Sequence, residues 1–452
     1  MASSDEPPPK RTRPGEKPRT GTCAFADRIA RVACERYAEL VASPSCPRER
    51  VPTRTVLAAF VAYDRITDTA RVLSLGVGTK TIRRDAPITG GEILDAHAEV
   101  LARRGLKKFF FAAASKGYDE DDQRRVVDVA LDGTMTLREN ISMHLYVSSA
   151  PCGNACVRRW AKGRAKERRR ETLGALGTPN DAHEKLQRSA CDAGQVALCV
   201  KIVKTSKDDA LPEDVRRMVD RGEIAPGTAP VGSALGASLT CSDKLCVWNV
   251  VGYQGALLRA FMPTPLRVAS ITVGRKFSEP HLCRAMCCRA HGFESTDGAF
   301  ATTHPALMET AVVFDDVPMD AEQGATFDNP FAMVWCAYDD EAEILDGKTG
   351  LTLADGAPSS TCKAALFDAY NRALRRRRHG ADAGEDTLVT YAHDVYARAK
   401  RDADGGAYDA AKDELFNHPK MFEPRRGCAG WRESKRERSS GYVRRRVHSD
   451  SS

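Results

Sequence analysis

The chain lacks any apolar segment close to the ~20 residues that a helix needs to cross a bilayer. It also lacks a secretory signal, because residues 1–22, MASSDEPPPKRTRPGEKPRTGT, are polar, basic and rich in proline. We therefore expect no membrane contact, a disordered tail over residues 1–24, and a location in the nucleus, the cytoplasm or both. The basic residues within positions 10–19 are compatible with a nuclear localisation signal.

Regular cysteine spacing is absent as well, although the chain has 15 cysteines among its 452 residues. Without a secretory signal these thiols meet a reducing compartment, which argues against a disulfide framework. We expect most of them to be buried as small apolar side chains and a few to bind metal. The formal net charge is only +7, which permits a polyanionic partner such as RNA without demanding one.

The sequence has no internal repeats and no shift in composition that would divide it into two domains. Predicted helices alternate with predicted strands, which indicates one α/β domain that we assign to residues 25–445. Two insertions interrupt it: a basic one near 158–190, and one rich in glycine, proline and charge near 205–238. The basic insertion, like RRRRHG at 375–380, fits contact with RNA phosphates and a solvated helix equally well.

Two short motifs carry metal chemistry. His97 and Glu99 stand two residues apart at the start of a predicted helix, and Pro151-Cys152 follows the predicted strand ISMHLYVSS. The carboxyl end of a strand is where sites in α/β proteins lie. Zinc-dependent nucleobase deaminases use H-x-E and a later Pro-Cys, with His and Cys as ligands and Glu as the proton carrier. We therefore predict that His97 and Cys152 bind Zn²⁺ and that Glu99 is catalytic.

The third zinc ligand stays open when the residues alone are considered. Small cytidine deaminases take it from P-C-x-x-C, but here the next cysteine, Cys156, stands one position too late. Cys241 stands out because it opens CSDK, where a predicted loop leads into a helix. The full set of candidates is Cys156, Cys191, Cys199, Cys241 and Cys246.

Three separated segments, DAHAEVLARR, YVSSAPCGN and TCSDKLCVWNVVGYQGALL, resemble the deaminase domain of adenosine deaminases acting on RNA. LGVGTK, VWCAYDDEAEILDGKTG and STCKAALF extend the resemblance, which runs from about residue 25 to about residue 431. It implies a cytidine-deaminase-like zinc core, in which helices flank a mixed sheet, with a C-terminal helical extension. It also implies that Cys241 is the third ligand and that Cys156 is an ordinary helix residue.

The same resemblance implies an inositol hexakisphosphate that the C-terminal helices enclose behind the zinc. A buried polyanion needs partners from several segments, since an unpaired buried charge is costly. Asp95 and Lys244 would link that site to the zinc. The family usually has arginine where Val247 stands, and a further family lysine corresponds to Lys201 or Lys204. The matching residues for the anion are Arg103, Arg104, Lys244, Lys363, Tyr396, Lys400, Tyr408, Lys412, Trp431 and Lys435.

The activity of this family converts adenosine to inosine in RNA, and Thr79 and Lys80 match positions beside the target nucleotide. Editors of double-stranded RNA carry RNA-binding modules ahead of the catalytic domain, for which the residues before 25 leave no room. We therefore expect the tRNA-directed branch of the family, acting on adenosine 37 of tRNA-Ala, with no obligate protein partner.

Three other functions remain as alternatives. A cytidine or free-nucleoside deaminase is disfavoured because P-C-x-x-C is absent and because so large a basic chain is unnecessary for a nucleoside. A catalytically silent RNA-binding relative is disfavoured because Glu99 is intact. An editor of double-stranded or messenger RNA is the nearest alternative.

A second group of metal-binding residue types occurs in CRAMCCRAHG. Cys283, Cys287, Cys288 and His291 lie close together there, which would suit a structural zinc ion. Because Cys283 and Cys287 are one helical turn apart and the segment matches a helix of the family, we interpret the cysteines as buried thiols.

Overall fold

The structure is a computed structural model that describes residues 23–52, 54–82, 89–116, 125–159, 198–202, 211–220, 224–225, 227–230, 233, 235–236, 238–314, 330–379 and 390–418. Most of the predicted tail and much of both predicted insertions lie outside the described residues, as do Trp431 and Lys435. No helix within the described ranges is both long and apolar enough to cross a membrane. The domain limits 25–445 stay a prediction.

A mixed sheet forms the centre of the fold. The strands within the described residues are β1 Leu57–Asp64, β2 Thr69–Val77, β3 Thr79–Thr81, β4 Asp95–His97, β5 Val127–Val129, β6 Met135–Leu137, β7 Ile141–Ser149, β8 Cys199–Lys201, β9 Thr228–Pro230, β10 Ser270–Arg275, β11 Ala306–Glu309, β12 Phe331–Cys336 and β13 Glu343–Asp346. The central sheet has the order β11-β10-β7-β1-β2-β12-β13. β7, β10 and β11 run parallel, whereas the other neighbours are antiparallel. The predicted α/β class is confirmed, and the pairs β1–β2 and β12–β13 are antiparallel hairpins.

Helices cover both faces of this sheet. The helices within the described residues are α1 Ala24–Ala42, α2 Ala98–Lys116, α3 Glu213–Asp220, α4 Cys241–Val251, α5 Glu279–Met286, α6 Lys363–His379, α7 His393–Asp402 and α8 Ala407–Asn417. Side chains alternate along β1, so Ala59 and Val61 pack with α1 while Phe60 and Ala62 pack with α2. A strand that is buried on both faces is apolar almost throughout, which explains the sequence LAAFVAYD.

Glycine in β2 sets how closely α2 approaches the sheet. A Cβ atom at Gly76 would lie 2.4 Å from both the Ala98 oxygen and the Ala102 nitrogen, so a larger residue would push the helix away. Gly105 allows a similar approach farther along α2, where a Cβ would lie 2.7 Å from the Trp335 oxygen. The first turn of α2, which carries Glu99, is therefore held directly against the sheet.

The segment CRAMCCRAHG, which was expected to be helical, is interrupted, so the expectation of one continuous helix was wrong. α5 ends at Met286, Cys287 has the non-helical angles φ −143° and ψ −51°, and a 3₁₀ helix follows at Cys288–Ala290. After this break the Arg289 guanidinium lies 2.6 Å from the buried Asp243 carboxylate. The segment of Cys156 is also a 3₁₀ helix, at Asn154–Arg159, and not an α-helix.

Candidate active site

Three side chains that can bind metal, one histidine and two cysteines, come from distant segments and converge beyond the carboxyl end of β7. His97 ends β4, Cys152 follows β7, and Cys241 begins α4. Their ligand atoms all lie within 4.8 Å of one another. The backbone nitrogen of Ser242 donates to the Cys152 oxygen at 3.0 Å, which ties the two cysteine segments together. The structure thus brings together the three residues that were predicted to bind zinc.

Cys241 is the third member of this group, and its position follows from how α4 begins. The side chain of Thr240 accepts a hydrogen bond from the Asp243 backbone nitrogen at 3.3 Å and so caps the helix one residue before Cys241. The Cys156 thiol instead donates to two backbone oxygens, at 3.1 and 3.2 Å. The remaining candidates are Cys199 and Cys246, which are not part of the group, and Cys191, which lies outside the described residues.

The donor set of this group fits zinc. Nδ1 of His97 lies 2.8 Å from an Asp95 carboxylate oxygen and 3.2 Å from the Lys80 backbone oxygen. This nitrogen therefore carries the proton, and Nε2 is left for a metal. A hydrogen bond with Cys241 lowers the pKa of the Cys152 thiol, which favours the thiolate form that zinc binds. Two thiolates and one imidazole leave the fourth position of a tetrahedral zinc ion for water.

Glu99 is a buried carboxyl group beside the metal-binding residues. It is the second residue of α2, and only 3% of its surface is exposed. Burial raises the pKa of Glu99, and the negative charge of the neighbouring Cys152 raises it further. A carboxyl group that holds its proton more tightly than usual is suited to accepting and returning a proton near neutral pH. The geometry therefore suits the role that the sequence predicts for Glu99.

A buried acid, Asp95, joins the metal-binding group to basic residues behind it. Its carboxylate oxygens accept hydrogen bonds from Nζ of Lys201 at 2.7 and 3.0 Å and also from Nζ of Lys244. Burial opposes ionisation, but the two lysines outweigh it and hold the pKa of Asp95 well below its usual range. Lys201 Nζ also lies 3.4 Å from Sγ of Cys241. Of the two lysines left open, Lys201 thus occupies this site, and Lys204 lies outside the described residues.

Farther from the metal-binding group, five basic residues form what we call the cation cluster: Arg103, Arg104 and Lys107 on α2, Lys363 on α6 and Lys400 on α7. Burial, and then repulsion from the other four, holds the pKa of Lys107 well below its usual range. The pKa of Lys363 is lowered to about 8, first by burial and then by the positive charges of Arg104 and Lys400. Lys107 was not predicted from the sequence, although it follows Arg103 by four positions and therefore shares its helix face.

The cation cluster fits a bound polyanion such as inositol hexakisphosphate. Nη2 of Arg103 is buried without a hydrogen-bond partner in the described part of the chain, which is costly unless an anion accepts from it. Burial raises the pKa of Tyr396 beside Lys400, so its hydroxyl group keeps a proton to donate. Two of the predicted contacts are partly engaged within the chain: Lys400 pairs with Asp409 at 3.0 Å, and Lys412 lies over the ring of Tyr408 at 5.6 Å.

The predicted RNA contacts divide into two sets. Thr79 and Lys80 form β3 beside the metal-binding group, since Thr79 is opposite His97 in the β3–β4 ladder. Their contact with the target nucleotide stays a prediction. Arg376 and Arg377 of RRRRHG instead donate to backbone oxygens of neighbouring segments and so fasten α6 to the rest of the fold. The basic stretch 160–170 lies outside the described residues.

Comparison with known proteins adds a family and several relatives. Residues 74–423 match the adenosine-deaminase (editase) domain. The chain is 29% identical over 407 residues to the mouse double-stranded RNA-specific adenosine deaminase, an alignment that covers 86% of this chain and 30% of that protein. It is 31% identical over 235 residues to the Drosophila melanogaster tRNA-specific adenosine deaminase 1, covering 50% of this chain and 51% of the relative. The human tRNA-specific adenosine deaminase 1 is 23% identical over 423 residues, which cover 75% of this chain and 83% of the relative.

Proposed function

This chain belongs to the adenosine-deaminase (editase) domain family, and from that membership we propose that it hydrolyses adenosine to inosine in RNA with the help of zinc. One observation carries the proposal. The ligand atoms of His97, Cys152 and Cys241 lie within 4.8 Å of one another, and the buried carboxyl group of Glu99 lies beside them. A metal site with one open position next to a proton carrier is what hydrolytic deamination requires.

The side chains divide the reaction between them. Zinc, when bound, would supply a water molecule that loses a proton readily at neutral pH. Glu99 would take a proton from the attacking water and deliver it to N1 of the adenine as the water oxygen bonds to C6. It then carries the second proton to the departing amino group, so that adenosine and water give inosine and ammonia. Asp95 accepts a hydrogen bond from Nδ1 of His97 and so keeps the imidazole in one orientation.

The proposed substrate is tRNA, at adenosine 37 of tRNA-Ala. The similarity to relatives named tRNA-specific supports this choice, since the alignment spans 83% of the human one. An anticodon loop already exposes its bases, so the adenosine can enter a buried site with little duplex opening. Thr79 and Lys80 lie in the strand paired with β4, where they can contact the sugar and phosphate of that nucleotide.

Double-stranded RNA is a second candidate substrate. The similarity to the mouse relative favours it, because that alignment covers 86% of this chain. The chain spans about a third of the length of that relative, so the similarity concerns the deaminase domain.

The test is to incubate the purified protein with tRNA-Ala and with a long RNA duplex and to measure inosine by mass spectrometry. Glu99→Ala protein with normal zinc content is the control. Inosine beside the anticodon that requires Glu99 supports the tRNA proposal, whereas inosine in the duplex alone transfers the assignment to the second candidate. If folded, zinc-loaded protein makes no inosine in either RNA, the proposed activity is wrong.

A further inference from the structure

Three cysteines away from the candidate active site form a buried cluster of their own. Cys283 lies in α5, Cys287 follows the last residue of that helix, and Cys288 begins the 3₁₀ helix Cys288–Ala290. All three are buried, with 1–4% of their surface exposed. Their Sγ atoms lie within 4.8 Å of one another. We call these residues, together with His304, the thiol–imidazole cluster.

The break in the helix creates this arrangement. In a continuous helix, side chains at adjacent positions such as 287 and 288 point about 100° apart. Because the backbone leaves the helix at Cys287, the two thiols lie on the same side as Cys283, with Sγ–Sγ distances of 3.9 Å for Cys283–Cys287 and 3.8 Å for Cys287–Cys288. Thiolates at ~2.3 Å from a tetrahedral zinc ion are about 3.8 Å apart. The third distance, Cys283–Cys288, is 2.7 Å and would widen around an ion.

A fourth donor comes from the segment that precedes β11. His304 Nδ1 lies 4.0 Å from Sγ of Cys288, and its Nε2 lies 3.1 Å from Nδ1 of His291. When Nε2 donates its proton to His291, Nδ1 on the side of Cys288 keeps a lone pair for a metal, which is the usual arrangement of a metal-binding imidazole. His304 is exposed while the cysteines are buried, so this side of the cluster is open to an incoming ion.

We propose that Cys283, Cys287, Cys288 and His304 bind a structural zinc ion, separate from the metal of the candidate active site. Three thiolates and one imidazole fill all four positions of tetrahedral zinc and leave none for water, which is the pattern of a structural site. From the sequence, the cysteines were interpreted as buried thiols, with His291 as the one nearby histidine in that segment. The structure brings in His304, which stands 16 positions after Cys288.

The ion would brace the segments that carry the candidate active site. Nη2 of Arg284 in α5 donates to the Asn154 backbone oxygen at 3.0 Å, two residues after Cys152. Arg289 lies 2.6 Å from Asp243, two residues after Cys241. An ion that joins α5, the 3₁₀ helix and the segment before β11 would therefore hold in place the elements that support Cys152 and Cys241.

The experiment counts zinc per chain by plasma mass spectrometry in the wild type and in cysteine variants purified without chelators. We expect two zinc ions in the wild type. Cys287→Ala is expected to lose one and Cys152→Ala to lose the other, while the matched control Cys336→Ala, a buried cysteine of β12, keeps both. The proposal depends on which variant loses an ion and not on the total, so it stands or falls independently of the proposed deaminase activity.

A second measurement tests the proposal even if Cys287→Ala protein fails to fold. Cys152→Ala protein, in which the active-site group is broken, is loaded with Co²⁺, and its absorption spectrum is recorded. Thiolate-to-cobalt charge-transfer bands together with intense tetrahedral ligand-field bands support the thiol–imidazole cluster as a metal site. Absence of bound cobalt in folded Cys152→Ala protein overturns the proposal. A Cys283–Cys288 disulfide in the native protein, found by peptide mass spectrometry without reduction, also overturns it.

Discussion

The two sides of Asp95 differ in how their charges are balanced. On the side of the metal-binding group, the Asp95 carboxylate pairs with both Lys201 and Lys244, and its pKa stays well below the usual range. On the other side, Lys107 and Lys363 form no ion pair within the described part of the chain, and burial with mutual repulsion lowers the pKa of both. Lys201 and Lys244 therefore have an acidic partner within the chain, whereas Lys107 and Lys363 have none in the described residues, and an anion from outside would stabilise them.

The largest expected effect is a loss of activity without a loss of stability, on substitution of Glu99. Glu99→Gln keeps the size of the side chain but removes the proton carrier, so we expect inosine formation to fall by roughly 10²–10⁴-fold. Zinc content and thermal stability should stay close to those of the wild type. The control is Glu49→Gln, which changes an exposed carboxylate. Retained activity in the Glu99→Gln protein would show that another group moves the proton.

Asp95→Asn breaks the ion pairs of Asp95 with Lys201 and Lys244. This change leaves Lys201 and Lys244 buried without their counter-charge, so the free energy of unfolding should fall by about 3–5 kcal/mol, as urea denaturation measures. The matched control is Asp68→Asn, which removes an exposed pairing with Arg28 and should change stability little. Equal losses in the two variants would contradict the importance of the buried network.

The cation cluster can be tested by adding its proposed anion, inositol hexakisphosphate. In protein prepared free of inositol phosphates, inositol hexakisphosphate at a hundredfold excess over its Kd should stabilise the folded state by about 2.7 kcal/mol. Lys107→Met should weaken that response and, without anion, leave the protein at least as stable as the wild type, because it removes a repelled charge.

The neighbouring Lys108→Met is the matched control for this experiment. Lys108 already pairs with Asp339 and Ser360, so its loss should destabilise the protein without changing the response to the anion. If inositol hexakisphosphate does not stabilise the wild type, or if the two lysine variants respond alike, the cation cluster is not its site.

The smallest expected effect is a pH dependence of the anion-free protein. The pKa of Lys363 is lowered from its ordinary 10.5 to about 8 by burial, Arg104 and Lys400, against a smaller opposite effect of Glu92. Between these values the unfolded chain binds more protons at this lysine than the folded one, so the free energy of unfolding rises with pH from about 8 to 10.5. Below pH 8 the lysine is charged in both states and contributes no slope.

Denaturation at pH 7.5 and 9.5 checks this sign. The anion-free wild type should gain more stability at the higher pH than Lys363→Met protein does, and bound anion should remove the difference because it favours the charged lysine. An identical pH dependence in the wild type and Lys363→Met proteins would show that Lys363 keeps its ordinary pKa.

Local features of the fold were predictable where the chain determines them over a few residues. The β1–β2 hairpin, the strand that leads to Cys152 and the helix that begins beside Glu99 follow from alternation, from turn residues and from helical spacing. The end of α5 was not predictable, because CRAMCCRAHG continues a helical pattern. Its break places Arg289 beside Asp243, a residue 46 positions earlier in the chain.

The sequence alone determined the pairs His97–Glu99 and Pro151–Cys152, because each pair is separated by two positions or fewer and the local backbone fixes its geometry. The resemblance then supplied the family, Cys241 as the third ligand and most of the residues expected to bind the anion. Only the tertiary structure decided that Lys201 pairs with Asp95, that Lys107 belongs to the cation cluster, and that His304 lies beside Cys288. These contacts join segments far apart in the chain, and no local pattern encodes which distant residues packing will bring together.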